Sequence, residues 1–190
     1  MSDKAGASAS EAWPHLTPGD RAVILAGSCS RATLAQLKDF EQQGGAIRRL
    51  DPLDLARTDE SINEAIDWAR QQETTPLIAA SADPEAVTAA QQKLGTDKAG
   101  QIVEQAFAKI ASTLMQDDTF SHLIVAGGET SGAVVQALDI AALRIGPTID
   151  PGVPWTQAYD SQGQPRCQLA LKSGNFGATD FFTKAMKQLA

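Results

Sequence analysis

The stretch Leu123-Ile-Val-Ala-Gly-Gly-Glu-Thr-Ser-Gly-Ala-Val-Val135 decides the fold of this chain. Its apolar half is typical of a short buried strand, and the polar residues that follow are typical of a helix start. Two glycines at the junction permit a tight turn and let another molecule approach the backbone closely. The pattern predicts a strand over 122–126, a turn with Thr130 or Ser131 as the helix N-cap, and a helix from Ala133 to Leu138.

Segments of the same two kinds alternate along the rest of the chain. Apolar runs that predict strands lie at 21–27, 46–52 and 76–81. Segments with helical spacing lie at 32–43, 61–72 and 97–116, and Asp83-Pro84-Glu85 predicts the start of a further helix. The last third adds extended segments at 142–146, 155–160 and 166–172, turns at 150–152 and 161–163, and a terminal helix from Thr179.

This alternation predicts an α/β fold. The expected architecture is a three-layer sandwich with a mostly parallel, mixed central sheet and helices on both faces. The chain has 190 residues, of which 43% are hydrophobic, and this suffices for one domain with a sizeable core. In such sheets ligands bind beyond the carboxyl ends of the strands, so the turns after 22–26 and 122–126 are the first candidates for a site.

The charge balance excludes some partners and permits others. The 16 Lys and Arg residues against 23 Asp and Glu residues give a formal net charge of −7. We expect no nucleic-acid partner, because no basic patch is available to displace counterions from a phosphate backbone. A small phosphate ligand stays compatible with this charge, since backbone N–H groups at helix starts bind anions.

The amino-terminal residues and the cysteines indicate where the protein works. The first dozen residues are small and polar, and no later segment approaches 18 uninterrupted apolar residues, so we expect no membrane partner. Cys29 and Cys167 are far apart and form neither a disulfide framework nor a metal-ligand pair. We interpret 1–17 as a flexible lead-in or linker remnant, 18–190 as one domain, and the compartment as a reducing cytoplasm.

The candidate site residues each have a structural alternative. The turn over 127–132 contains neither a Walker loop nor the dinucleotide fingerprint, and it could be an ordinary strand-to-helix junction. Lys172, followed by a glycine turn, suits a phosphate contact or a wall beside a base, or it could be a solvated lysine. Ser28 and Ser30 could contact a ligand or cap the following helix, and capping is the favoured interpretation for Ser30.

Other chemistry finds less support in the sequence. A hydrolase with Cys29 or Ser28 as its nucleophile lacks a nucleophile-elbow sequence around either residue. No His-x-x-x-His, His-Glu or clustered Cys pattern is present, so we expect no transition-metal site formed by protein side chains alone. Any metal would be Mg²⁺ that arrives with a nucleotide, with Glu129 as a candidate contact.

Three segments occur in this order: Ala26-Gly-Ser-Cys-Ser30, Val125-Ala-Gly-Gly-Glu-Thr-Ser-Gly132 and Leu171-Lys-Ser-Gly-Asn-Phe-Gly177. Together they resemble the C-terminal domain of the four-carbon acid sugar kinase family, which includes the 3-oxo-tetronate kinases. The resemblance covers residues 18–190. It implies a two-domain enzyme whose other, amino-terminal domain binds the sugar acid, while this domain binds ATP with its Mg²⁺.

The resemblance also implies a set of nucleotide contacts. The primary contacts would be Ser28, Gly127, Gly128, Glu129, Thr130 and Gly174. The secondary contacts would be Ser131, Gly132, Lys172 and Ser81. The γ-phosphoryl group would pass to a terminal hydroxyl of the sugar acid, with the catalytic base in the other domain. On its own, this domain would then bind ATP and ADP without completing the reaction.

Two alternatives to the kinase domain stay open from the sequence, the hydrolase named above and a non-catalytic sensing module. A non-catalytic module that senses a nucleotide or metabolite would use the same glycine turns and the same acidic surface. The parent protein could also be a homo-oligomer.

Overall fold

The computed structural model describes residues 20–80, 84–116 and 119–189. The predicted lead-in over 1–17, the predicted cap Asp83 and the secondary site candidate Ser81 lie outside these ranges. Within them, no helix is both long enough and apolar enough to cross a bilayer.

The described residues form one mixed sheet of seven strands. In chain order these are β1 (Ala22–Ala26), β2 (Ala46–Leu50), β3 (Pro76–Ala80), β4 (His122–Ala126), β5 (Ile140–Asp150), β6 (Val153–Asp160) and β7 (Pro165–Lys172). Across the sheet the order is β2-β3-β1-β4-β7-β6-β5. In this spatial order the strands from β2 to β7 are mutually parallel, which makes five parallel strands, whereas β6 runs antiparallel to both β7 and β5.

Helices connect and cover the strands. In chain order they are α1 (Arg31–Gln42), α2 (Pro52–Leu55), α3 (Glu60–Gln71), α4 (Pro84–Leu94), α5 (Thr96–Gln116), α6 (Gly128–Ala137) and α7 (Phe181–Lys187). Sequence analysis missed α2, where the Asp51 carboxylate accepts a hydrogen bond from Leu53 N at 2.8 Å and Pro52 occupies the first helical position.

The sheet separates two apolar cores, as the period of two along each strand requires. Val23 and Leu25 of β1 face a core built with α3, α5 and α6. Ala22, Ile24 and Ala26 face the opposite core, built with α1 and α7. The predicted three-layer α/β sandwich with a mostly parallel, mixed sheet is confirmed.

The strand order reverses between β1 and β4. From β1 the chain goes to β2 and β3 on one side of the sheet, and then crosses to β4 on the other side. Ala26 pairs with Ala126, and Ala126 pairs with Lys172, so β1, β4 and β7 end level with one another. A ligand site is expected beyond this reversal, where helices diverge to opposite faces.

The carboxyl-terminal strands are longer than predicted. The extended segment expected at 142–146 is part of β5, an 11-residue strand at the sheet edge. Much of β5 is exposed to solvent, and Ile145 keeps 75% of its full accessible area. The strand therefore lacks the alternation of buried and exposed side chains by which strands are recognised in sequence. The predicted turns at 150–152 and 161–163 are confirmed by left-handed glycines, Gly152 at φ 81° and Gly163 at φ 76°.

Candidate nucleotide site

The turns that follow β1, β4 and β7 are joined by backbone hydrogen bonds. Gly27 N and Ser28 N both donate to Ala126 O, at 2.9 and 3.1 Å. Gly127 N donates to Lys172 O at 2.8 Å. The three glycine-containing segments singled out in the sequence therefore meet at one place, beyond the strand-order reversal.

Helix α6 begins earlier than predicted. Its N-cap is Gly127, with φ 134° and ψ 130°, and its first residue is Gly128, so the expected start at Ala133 with a Thr130 or Ser131 cap is wrong. Thr130 is only 3% exposed because its side chain lies against Gly27, where an added Cβ would be 2.0 Å from Thr130 Oγ1. The Thr130 hydroxyl therefore packs against Gly27 instead of capping the helix.

The first turn of α6 has unsatisfied donors. Its first intrahelical bond joins Ser131 N to Gly127 O at 2.9 Å. The N–H groups of Gly128, Glu129 and Thr130 precede that bond and have no partner within the helix. Such N–H groups, at the positive end of the helix dipole, bind anions.

The glycines of this turn fall into two groups. Gly27 and Gly127 are explained by the protein itself, the first by the contact with Thr130 and the second by its positive φ. At Gly128 and Gly132 an added Cβ would meet nothing within 4 Å. Gly132 is inside the helix, where glycine costs about 0.5–1 kcal/mol relative to alanine, and no packing contact offsets that cost. The space in front of Gly128 is open to a ligand.

Ser28 and Gly174 lie side by side. A Cβ on Gly174 would be 2.3 Å from Ser28 Oγ and 3.1 Å from Ser30 Oγ, so the turn after β7 rests directly on the turn after β1. Ser30 is the N-cap of α1 and accepts from Thr33 N at 3.2 Å, which confirms the capping interpretation. The same hydroxyl donates to Gly174 O at 2.6 Å.

Lys172 lies beneath this turn and is fully buried, so the alternative of a solvated lysine is wrong. Its ammonium donates to Thr33 Oγ1 at 3.1 Å, Ser173 O at 3.2 Å and Gly174 O at 3.1 Å. These bonds use all three N–H donors. Burial lowers the pKa of Lys172 to about 8. In this arrangement Lys172 holds the Gly174 turn from below, and its contact with a phosphate stays a prediction.

Sequence analysis missed two residues that shape the site. Thr33 donates to Gly174 O at 3.0 Å, and Gln36 Nε2 lies 3.0 Å from each of the carbonyl oxygens of residues 176, 177 and 178. Both side chains are buried on the same face of α1 as Leu37 and Phe40. Polar residues in an otherwise apolar stripe are the sequence signal that would have identified them.

A cavity of about 260 Å³ opens beside the first turn of α6. Gly27, Cys29, Glu129 and Thr130 line it on the sheet side, and α4 and α5 supply the opposite wall. Glu129 and Cys29 are exposed. Within the described ranges, no group of three or more His, Cys, Asp or Glu side chains is placed to hold a metal ion.

The hydrolase alternative has no histidine base near its nucleophiles in the described part of the chain. His122 is the one histidine in the described part of the chain. It lies at the amino end of β4, whereas Cys29 and Ser28 follow the carboxyl end of the neighbouring strand β1. It is 2% exposed, and its ring lies edge-on to Trp155 at 5.9 Å. Burial lowers the pKa of His122 to about 4, so it is neutral at pH 7 and too distant to activate either residue.

Residues 23–182 match the family described as the nucleotide-binding C-terminal domain. The chain belongs to this family. A 3-oxo-tetronate kinase of Pseudomonas fluorescens is 50% identical over 177 residues, which are 93% of this chain and 40% of the relative. A 3-oxo-tetronate kinase of Methylobacterium radiotolerans is 44% identical over 191 residues, 99% of this chain and 43% of the relative.

A solved structure is similar as well. The crystal structure of a Haemophilus influenzae protein superposes on this domain with a TM-score of 0.84 at 34% identity, covering 95% of this chain and 43% of that protein. These relatives confirm the resemblance of the nucleotide-binding domain to the four-carbon acid sugar kinase family. The chain spans 40 to 43% of the length of these proteins.

Replacing Ser30 by alanine is expected to lower the free energy of unfolding by about 1–2 kcal/mol. The change removes both the cap of α1 and the donor to Gly174 O. Thermal melting followed by circular dichroism measures the effect. Ser112→Ala is the matched control, because the Ser112 hydroxyl bonds only the carbonyl of Lys109 in its own helix turn and is exposed. Equal melting temperatures for the two variants would contradict the cap.

Proposed function

We propose that this chain is the ATP-binding domain of a kinase that phosphorylates a four-carbon sugar acid, a tetronate or 3-oxo-tetronate, on its terminal hydroxyl. Two supports come from different sources. The matching family is a nucleotide-binding domain, and the curated relatives carry the name 3-oxo-tetronate kinase. The three strand-end turns bring small residues, hydroxyl groups and free N–H donors together at one edge of the sheet.

The observation that carries the proposal is the open start of α6. Gly128 has unoccupied space before it and an N–H group without an intrahelical partner. A phosphate group of ATP fits there because backbone donors and the helix dipole both favour an anion, even on an acidic protein.

Each candidate residue then has a role. Gly127 and Gly128 let the phosphates reach the backbone, and the N–H groups of Glu129 and Thr130 donate to them. Ser28 adds a hydroxyl from the neighbouring turn; this hydroxyl lies against Gly174 and accepts a hydrogen bond from Ser30 N at 3.2 Å. Gly132 lies one turn further along α6, on the same face as Gly128, and has no side chain that would cover this face. Ser131 follows Thr130 in the same turn. Lys172 acts from beneath, through the Gly174 carbonyl.

Mg²⁺ fits this site as an ion carried by the nucleotide. Mg²⁺ keeps several waters and binds one or two carboxylates together with substrate phosphates. Glu129 offers one exposed carboxylate in the first turn of α6. When bound, the ion would neutralise phosphate charge as the γ-phosphoryl group transfers.

Phosphoryl transfer also requires an aligned hydroxyl and a group that accepts its proton. We assign both to a separate sugar-acid-binding domain, in the part of the longer relatives that this chain does not cover. Residues 18–190 are then the nucleotide-binding domain, and residues 1–17 are a lead-in or a linker remnant. The kinase would act on metabolites in the cytoplasm.

The proposal is tested by joining the two halves. This chain alone is expected to release no ADP from ATP in the presence of tetronates. The same chain mixed with, or fused to, the amino-terminal portion of the Pseudomonas fluorescens relative is expected to phosphorylate a tetronate or 3-oxo-tetronate. Nucleotide binding without transfer in the fused protein, for every four-carbon acid offered, would favour a sensing module instead.

A further inference from the structure

The cavity beside α6 is divided into an apolar and an acidic part. Its apolar wall combines β3 with the facing sides of α4 and α5, from residues Ala80, Val87, Ala90, Ala99 and Val103. Asp97 and Glu104 of α5, together with Glu129, supply carboxylates at the same cavity. None of the described residues that line it is a lysine or an arginine.

Size and position restrict what the cavity can hold. Its volume of about 260 Å³ lies just below the range of roughly 300–1,000 Å³ for complete small-molecule sites, so it suits part of a larger ligand. Glu129 and Thr130 belong both to its wall and to the first turn of α6. A ligand whose phosphates lie at that turn can therefore reach the cavity with its other end.

Charge decides which end of a ligand enters. Three carboxylates and no basic side chain make the cavity unfavourable for a phosphate and for the carboxylate of a sugar acid. They favour a neutral group that donates hydrogen bonds and has a flat apolar surface. An aminopurine base with its ribose hydroxyls has this chemistry, with small side chains for the ring faces and carboxylate acceptors for its N–H and O–H groups.

We propose that the cavity between α4, α5 and the first turn of α6 binds the nucleoside end of the nucleotide, with the base against Ala90 and Val103. The inference rests on the proposed ATP site and adds its orientation: phosphates at Gly128, base under α5. Asp97 and Glu104 are the acceptors for the ribose hydroxyls or the amino group of the base.

The test compares a complete nucleotide with its phosphate part alone. Gly100 of α5 lines the cavity, and an added Cβ there meets only Glu104 Oε1, at an ordinary 3.7 Å. Gly100→Leu therefore fills the cavity while improving helix propensity. Calorimetric titration of this variant is expected to show Mg-ATP affinity lowered about tenfold or more, and Mg-tripolyphosphate affinity within about twofold of wild type.

Gln105→Leu is the matched control, since Gln105 is exposed on the same helix and does not line this cavity. It should leave both affinities unchanged. Val103→Trp fills the cavity from a second position, should circular dichroism show that Gly100→Leu is misfolded.

The possible results distinguish the nucleoside assignment of the cavity from the proposed ATP site at α6. Unchanged Mg-ATP affinity in a folded cavity-filling variant, or equal loss of Mg-ATP and Mg-tripolyphosphate, overturns the nucleoside assignment and leaves the ATP site standing. A wild-type chain that binds neither ligand overturns both.

Discussion

Valine in place of Gly128 is expected to lower the affinity for Mg-ATP by about a hundredfold or more, which is close to 3 kcal/mol of binding free energy. Gly128 is the first residue of α6, and the space before it is open. A branched side chain would occupy the position of a phosphate and separate it from the N–H donors of the first turn. Calorimetric titration with Mg-ATP measures the loss.

The fold should tolerate this change, because an added Cβ meets no protein atom within 4 Å. Gln136→Val is the control: it places the same side chain on the same helix at an exposed position away from the turn. Circular dichroism should be the same for wild type and both variants. Gly128→Val with the ATP affinity of Gln136→Val would show that the phosphates lie elsewhere.

Lys172→Met is expected to change how stability depends on pH. Burial lowers the pKa of Lys172 from 10.5 to about 8 in the folded protein. Between these values the unfolded chain binds the proton more tightly, so the free energy of unfolding rises with pH by about 3 kcal/mol and loses this gain as pH falls through 8. Methionine fills a similar volume and does not titrate, so the variant lacks this rise.

The comparison must be made as a difference between wild type and variant. Burial raises the pKa of Cys167 from 9.0 to about 12, which gives a stability contribution that is present below pH 9 and is lost as pH rises through 12. Both proteins contain Cys167, so subtraction leaves the contribution of Lys172. Denaturant unfolding from pH 7 to 10.5 is the measurement, with Lys38→Met as the exposed control. Parallel curves for wild type and Lys172→Met would contradict a buried ammonium.

Local sequence was sufficient where neighbouring residues determine the structure. The strand at His122–Ala126, the cap at Ser30 and the turns at 150–152 and 161–163 depend on a few adjacent residues, and each was predicted. The meeting of the strand-end turns also followed, because parallel strands place their carboxyl ends at one edge.

Long-range contacts determine what the sequence left open. Helix α6 begins at Gly128 rather than at Ala133 because the Thr130 side chain lies against Gly27, more than a hundred residues earlier in the chain. The burial of Lys172 depends on Thr33, which is 139 residues away. The cavity depends on how α4 and α5 pack, which no local pattern encodes. The polar pair Thr33 and Gln36 was visible in the apolar stripe of α1, but its partners were not.

Calorimetric titration of this chain with Mg-ATP, Mg-ADP and NAD tests whether the start of α6 binds the phosphates of ATP. If it does, binding of Mg-ATP and Mg-ADP is saturable, with dissociation constants between about 10 μM and 1 mM. We expect no binding of NAD, and loss of binding of both adenine nucleotides in Gly128→Val. Adenine nucleotide binding that survives in Gly128→Val, or NAD binding as tight as that of ATP, would contradict a phosphate site at the start of α6.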